Sequence, residues 1–141
     1  MEPALHYLDT NVLIAIIEPV APLTKSQAAF LERLSSGEAA AVASEFALAE
    51  CLVKPYAEAN RKAIDAYLLL FNASRALAVM AVTREILVHA AQLRARSKIS
   101  LPDAIHVATA EVAGCRVFVS EDRRIRPAEP MRLTRWTDFS A

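Results

Sequence analysis

Glycine is almost missing from this chain: among 141 residues only Gly37 and Gly114 occur. Neither the glycine-rich dinucleotide turn nor the phosphate-cradling loop of nucleotide hydrolases can be written with them. Cysteine is equally scarce. Cys51 and Cys115 form no spaced framework, so they read as two buried thiols of a reducing compartment rather than a disulfide scaffold. Neither sign of charge is in excess, because 16 basic residues balance 16 acidic ones. A simple electrostatic nucleic-acid binder usually carries a basic surplus, so this balance argues against one. Long apolar runs are lacking too. Val12 to Ile17 is far too short to span a bilayer and follows Glu2 and Asp9 rather than a basic segment, so a cytoplasmic protein with no membrane partner is expected.

What the chain does contain is a high apolar fraction, 55% against 23% charged, enough for one buried core over residues 1–141. Short apolar runs alternate with helical stretches. Leu5 to Leu8, Ala39 to Ala43, Leu77 to Val82 and Arg116 to Val119 read as strands, with a weaker fifth at Met131 to Trp136. Between them, Thr24 with Gln27 and Ser100 with Asp103 form capping boxes, Ser44 and Thr83 open further helices, and Gly37 and Gly114 close two. Pro55 is expected to kink or end the helix after Ser44, with another helix from about Glu58 to Asn72. This order predicts an α/β fold: a central parallel sheet of four to five strands flanked by helices on both faces.

Four carboxylates stand at informative places in that plan. Asp9 and Asp122 each follow a strand, Asp103 begins a helix, and Glu50 lies on a helix with Phe46, Ala47, Val53 and Lys54, a mostly apolar stripe expected to face the sheet. In an open parallel sheet the carboxyl edge of the strands is the binding edge, and all four are expected there. Each acid has a plain structural role as well. Asp9 and Asp103 can act as caps, Asp122 can open a turn, and Glu50 can pair with Lys54. Taken together, four acids at one rim call for a shared divalent cation, and hard oxygen donors suit Mg²⁺ or Mn²⁺. Basic residues flank the acids: Arg94, Arg96 and Lys98 precede Asp103, while Arg123, Arg124 and Arg126 follow Asp122. Such borders suit a polyanion approaching a metal, and two solvated charged faces explain them about as well.

The stretches Tyr7-Leu8-Asp9-Thr10-Asn11-Val12, Ser44 through Ala49-Glu50, Leu101-Pro102-Asp103-Ala104 with Ala108-Thr109-Ala110, and Val119-Ser120-Glu121-Asp122 together resemble the PIN-domain nucleases. Among these the chain is most similar to the VapC-type toxin ribonucleases of type II toxin–antitoxin pairs. The resemblance implies a three-layer sandwich, Mg²⁺ or Mn²⁺ dependence, endonucleolytic cleavage of RNA, a homodimer and a cognate antitoxin. It implies Asp9, Glu50, Asp103 and Asp122 as the catalytic quartet, with Asp9, Asp103 and Asp122 holding metal. Ser120, Asn11 and Glu121 would be supporting residues, and Arg94, Arg96, Arg123 and Arg124 would meet RNA. Glu121 stands where an Asn is common in the family, which leaves the choice between Glu121 and Asp122 open.

Two other classes compete. A non-catalytic interaction module could use the acids for a structural ion. An Asp-nucleophile phosphatase would need a second Asp two residues after the first, where this chain has Asn11. His6, His89 and His106 lack ligand spacing with either cysteine, and His106 reads as a helix-face residue.

Overall fold

The computed structural model describes residues 4–140; the outermost residues of the expected domain, 1–3 and 141, lie outside the described residues. Five short strands build one sheet: β1 (Leu5–Leu8), β2 (Ala40–Ser44), β3 (Leu77–Met80), β4 (Val117–Val119) and β5 (Arg132–Thr134). Their order is β3-β2-β1-β4-β5 and every pairing is parallel. β1 is central. The chain fills the sheet toward β3 on one side and then returns to fill β4 and β5 on the other. The switch point therefore falls between β1 and β4, where a parallel sheet opens its binding crevice.

Six helices cover the sheet: α1 (Thr10–Ile17), α2 (Lys25–Ser36), α3 (Glu45–Ala57), α4 (Arg61–Ala73), α5 (Arg84–Arg96) and α6 (Leu101–Ala113). Side chains alternate between the two faces with the period of a strand. Leu8, Ala41, Ala43, Val117 and Val119 pack with Val12, Phe30, Ala47, Cys51 and Tyr67, so α1 to α4 share one face. Tyr7, Val42 and Phe118 pack with Val107 and Ala110 of α6 on the other. α5 docks on α6 through Ile86, Ala90, Ala104 and Ala108.

Helix starts follow the expected chemistry. The Thr24–Gln27 capping box is complete, while Ser44 and Thr83 cap α3 and α5 through their side chains. The second expected box forms only by half. Ser100 accepts from the backbone N–H of Asp103, but among the described residues the Asp103 carboxylate makes no bond in return. That carboxylate is left available.

Several boundaries differ from the sequence reading, β2, β4 and β5 by one or two residues and three others as follows. α3 runs through Pro55 to Ala57, because a proline in the last turn costs only one carbonyl partner. α4 starts at Arg61 rather than Glu58, since Ala59 adopts a left-handed turn (φ 51°) and Asn60 supplies the cap. β3 stops at Met80, short of Val82. The apolar α4 is largely consumed within the chain: Ile64 and Tyr67 are buried, Leu70 and Phe71 pack against the core, and Leu69 is exposed.

α6 ends on Gly114 at φ 77°, and a Cβ added there would meet no atom within 4 Å. The penalty for a side chain is thus backbone strain alone. Gly114→Ala is expected to lower the unfolding free energy by about 1 kcal/mol, and Gly114→Asn by less, in urea denaturation at constant slope.

Candidate active site

Asp9 is the first residue past β1, and its backbone N–H continues the sheet ladder to Val119 O at 3.0 Å. Its side chain caps α1, with Oδ1 accepting from Thr10 N at 2.9 Å. Oδ2 accepts from Ser120 Oγ at 2.7 Å. The residue is only 4% exposed. Burial pushes its carboxyl above the ordinary carboxylate range and nearby Asp103 adds to the push, against the opposing pull of His106 and Ser120.

Ser120 and Asn11 cross-brace this edge. Fully buried Ser120 also accepts from Asn11 Nδ2 at 3.2 Å and from Asp122 N at 3.0 Å, while Asn11 Oδ1 accepts from Glu121 N at 3.1 Å. The loop after β4 is therefore bolted to the loop after β1. Of the three residues expected from sequence as supports, Asn11 and Ser120 make these bonds, and Glu121 enters only through its backbone N–H.

The remaining acids reach the same edge, and all but Asp103 take side-chain or backbone partners of their own. Asp103, in the first turn of α6, lines a cleft of about 450 Å³ with Lys98, Ser100, Arg124, Ile125 and Arg126. Asp122 receives a two-pronged contact from Arg124, with Nε and Nη2 each at 3.0 Å, and these bonds hold its carboxyl below the usual range. Glu121 turns away toward the chain after β5: it accepts from Arg135 Nη2 at 3.1 Å and from Thr137 N at 2.7 Å.

Glu50 departs from the expected stripe. The sheet-facing positions of α3 are Ala47, Cys51 and Pro55, and Val53 is 69% exposed, so Glu50 sits on the flank of the helix, half-buried. Its partner is not Lys54. Oε1 accepts from Thr10 Oγ1 and from His106 Nε2, both at 2.6 Å. Burial opposes ionisation of Glu50, yet the bonds from His106 and Thr10 outweigh it and leave the carboxyl below its ordinary value.

His106 is the residue the sequence reading missed. It is 1% exposed, bonded to Tyr7 Oη at 2.5 Å through Nδ1, and its Nε2 also lies 3.8 Å from Asp9 Oδ1. The usable signal was its position one helical turn after Asp103 within the apolar run Ala104 to Ala110.

Four acids thus gather at the carboxyl edge of β1 and β4, without closing into a ready cage. Among the described residues no three of the His, Cys, Asp and Glu side chains are grouped closely enough to hold a metal. Like charges repel, and two of the four are drawn instead to basic neighbours. Of the flanking bases, Arg94 spends its guanidinium on Ile99 O at 2.7 Å, whereas Arg96, Arg123 and Arg124 are exposed. Cys51 and Cys115 are free and buried, with thiols pushed up to about 12 by burial, which excludes them as nucleophiles.

Two outcomes follow. Ser120→Ala removes a donor to Asp9 and an acceptor for Asn11 and Asp122, and should cost about 1–3 kcal/mol in chemical denaturation. Because the folded carboxyl of Asp9 is raised, its contribution to stability is present at low pH and lost as pH rises through the folded value. In EDTA at neutral pH, Asp9→Asn is expected to melt at or above the wild-type temperature. The advantage should shrink as pH falls toward the ordinary carboxylate range.

The PIN domain family model matches residues 6–129. A search of curated proteins gave no match. Among solved structures, the fold is similar to VapBC2 from Rickettsia felis bound to a promoter DNA fragment, at TM-score 0.70 and 19% identity over 94% of this chain and 98% of that one. DNA-bound VapBC from Salmonella typhimurium gives TM-score 0.68 and 20% identity over 96% and 99%. VapC20 from Mycobacterium tuberculosis, described as a sarcin-ricin loop cleaving toxin, gives TM-score 0.60 and 17% identity over 80% and 86%. With the family match spanning most of its length and the acids at the switch point, the chain belongs to the PIN domain family.

Proposed function

We propose that this protein is a Mg²⁺- or Mn²⁺-dependent endoribonuclease and the toxin of a type II toxin–antitoxin pair. The carrying observation is the braced edge itself: buried Asp9 held by Ser120, beside the unbonded carboxylate of Asp103, at the switch point of a parallel sheet. Family membership and the likeness to VapBC assemblies support the reading. The sarcin-ricin loop named for VapC20 supports RNA as the substrate class.

The donors fit a hydrated hard cation. All are carboxylate oxygens, Mg²⁺ needs only one or two of them directly, and among the described residues no Lys or Arg pairs with the buried Asp9 carboxyl, which has His106 at 3.8 Å. Asp9 and Asp103 would hold the principal ion, Asp122 directly or through water, and Glu50 would orient the attacking water or help place a second ion. When bound, the ion neutralises phosphate charge and acidifies a neighbouring water. The chain's own residues supply the rest. Ser120 and Asn11 keep Asp9 from swinging out of line, and Ser100 fixes the start of α6 so that Asp103 stays at the edge. Arg124, Arg126 and Lys98 line the cleft beside Asp103, where an RNA phosphate would compete with Asp122 for the Arg124 guanidinium.

A homodimer and an antitoxin partner complete the proposal. Exposed Leu69, beside the cleft formed by Ile17, Ala66, Leu70 and Ala73, gives such a partner apolar surface to cover. The alternative, an interaction module without catalysis, draws on the lack of a closed donor cluster among the described residues.

Cleavage of mixed RNA by purified protein, with Mg²⁺ and with EDTA, separates the two readings. Metal-dependent cleavage is expected, and Asp9→Asn should abolish it. Full activity in that variant would remove Asp9 from the mechanism. Arg124→Ala should weaken RNA binding and reduce its salt slope by about 1, read by fluorescence anisotropy across a salt series.

A further inference from the structure

We propose that His106 is a positioning residue that, together with Thr10, clamps one oxygen of Glu50 so that the other is presented to the reacting edge. This rests on the nuclease reading above. The two bonds to Glu50 both fall on Oε1, from Thr10 Oγ1 and His106 Nε2, and neither uses Oε2. Three elements therefore meet at a single atom: α1 through Thr10, α3 through Glu50 and α6 through His106.

The imidazole is held rigidly enough to do this. Its ring meets the edges of Tyr7 and Phe46 at 5.8 and 5.7 Å between centroids, with interplanar angles of 61° and 60°. The hydrogen bonds also set its tautomer. Tyr7 lies buried and its hydroxyl is held far from ionising, so it donates to Nδ1. Nε2 then carries the proton and donates to the Glu50 carboxylate, which can only accept.

A merely structural histidine would not need this arrangement. The Tyr7 bond explains a polar ring inside the core by itself, but it uses only Nδ1 and places no demand on the second nitrogen. The second nitrogen instead reaches a half-exposed carboxylate whose ordinary fate is solvent. Asp103 and His106 lie one turn apart on α6, so the helix that delivers one acid also fixes the orientation of another.

Two substitutions divide the ring's functions. The amide nitrogen of Gln reaches the place of Nε2 and keeps a donor for Glu50, while Asn can place its Oδ1 only where Nδ1 stands, accepting from Tyr7 with no donor within reach of Glu50. With Mg²⁺ and RNA at a temperature where all variants are folded, His106→Asn should lower kcat by about 10- to 100-fold with little change in KM. His106→Gln should exceed His106→Asn in kcat by about tenfold. A second readout needs no metal: in EDTA, the imidazole ¹⁵N spectrum should show His106 protonated at Nε2. Equal losses in the two variants, loss in neither, a fall that appears only in KM, or an unprotonated Nε2 would overturn the positioning role while leaving the nuclease reading intact. Wild-type protein that cleaves no RNA with Mg²⁺ would overturn both.

Discussion

Ser120 donates to a carboxylate that burial has already made costly to ionise, and this bond lets Asp9 remain at the mouth of the sheet. Without it the charge would have to rotate toward water or take up a proton. The same hydroxyl accepts from Asn11 and from the backbone of Asp122, so the loops after β1 and β4 share one junction. The positions of Asp9 and Asp122 at the edge depend on that junction, because β1 and β4 are adjacent in space though their ends lie more than a hundred residues apart in the chain.

The charge pattern around the junction is graded. Asp9 is deepest; among the described residues its side-chain partners are neutral donors and an imidazole 3.8 Å away, and burial opposes its ionisation. Glu50 and Asp122 lie nearer the surface and each has a strong donor at hand, so theirs is favoured. Among the described residues the Asp103 carboxylate makes no side-chain bond, and a basic cleft lies beside it. Zero net charge over the whole chain conceals this separation into an acidic centre and a basic border.

Much of the architecture was legible because it is local. Strand identity followed from short apolar runs, and Thr24, Ser44, Thr83 and Ser100 announced helix starts through side chains that bond within three residues. That Asp9, Asn11 and Ser120 would meet was readable because they sit at strand ends that topology must bring together. Partner choice was not readable. Glu50 bonds to Thr10 and His106 rather than to Lys54 because the inward stripe of α3 is Ala47, Cys51 and Pro55, a rotation decided by packing against β2 and α4. Likewise Glu121 is settled by Arg135 and Thr137, whose approach depends on a three-residue edge strand with only a weak sequence signal.

The two cysteines lie on opposite sides of the sheet, Cys51 on the buried face of α3 and Cys115 just past the end of α6. Both thiols are sealed and held protonated, so a thiol reagent reacts with either one only when its own helical layer lifts away. The molecule thereby carries a separate native reporter for each half of its sandwich, and unequal alkylation rates would reveal which layer breathes first.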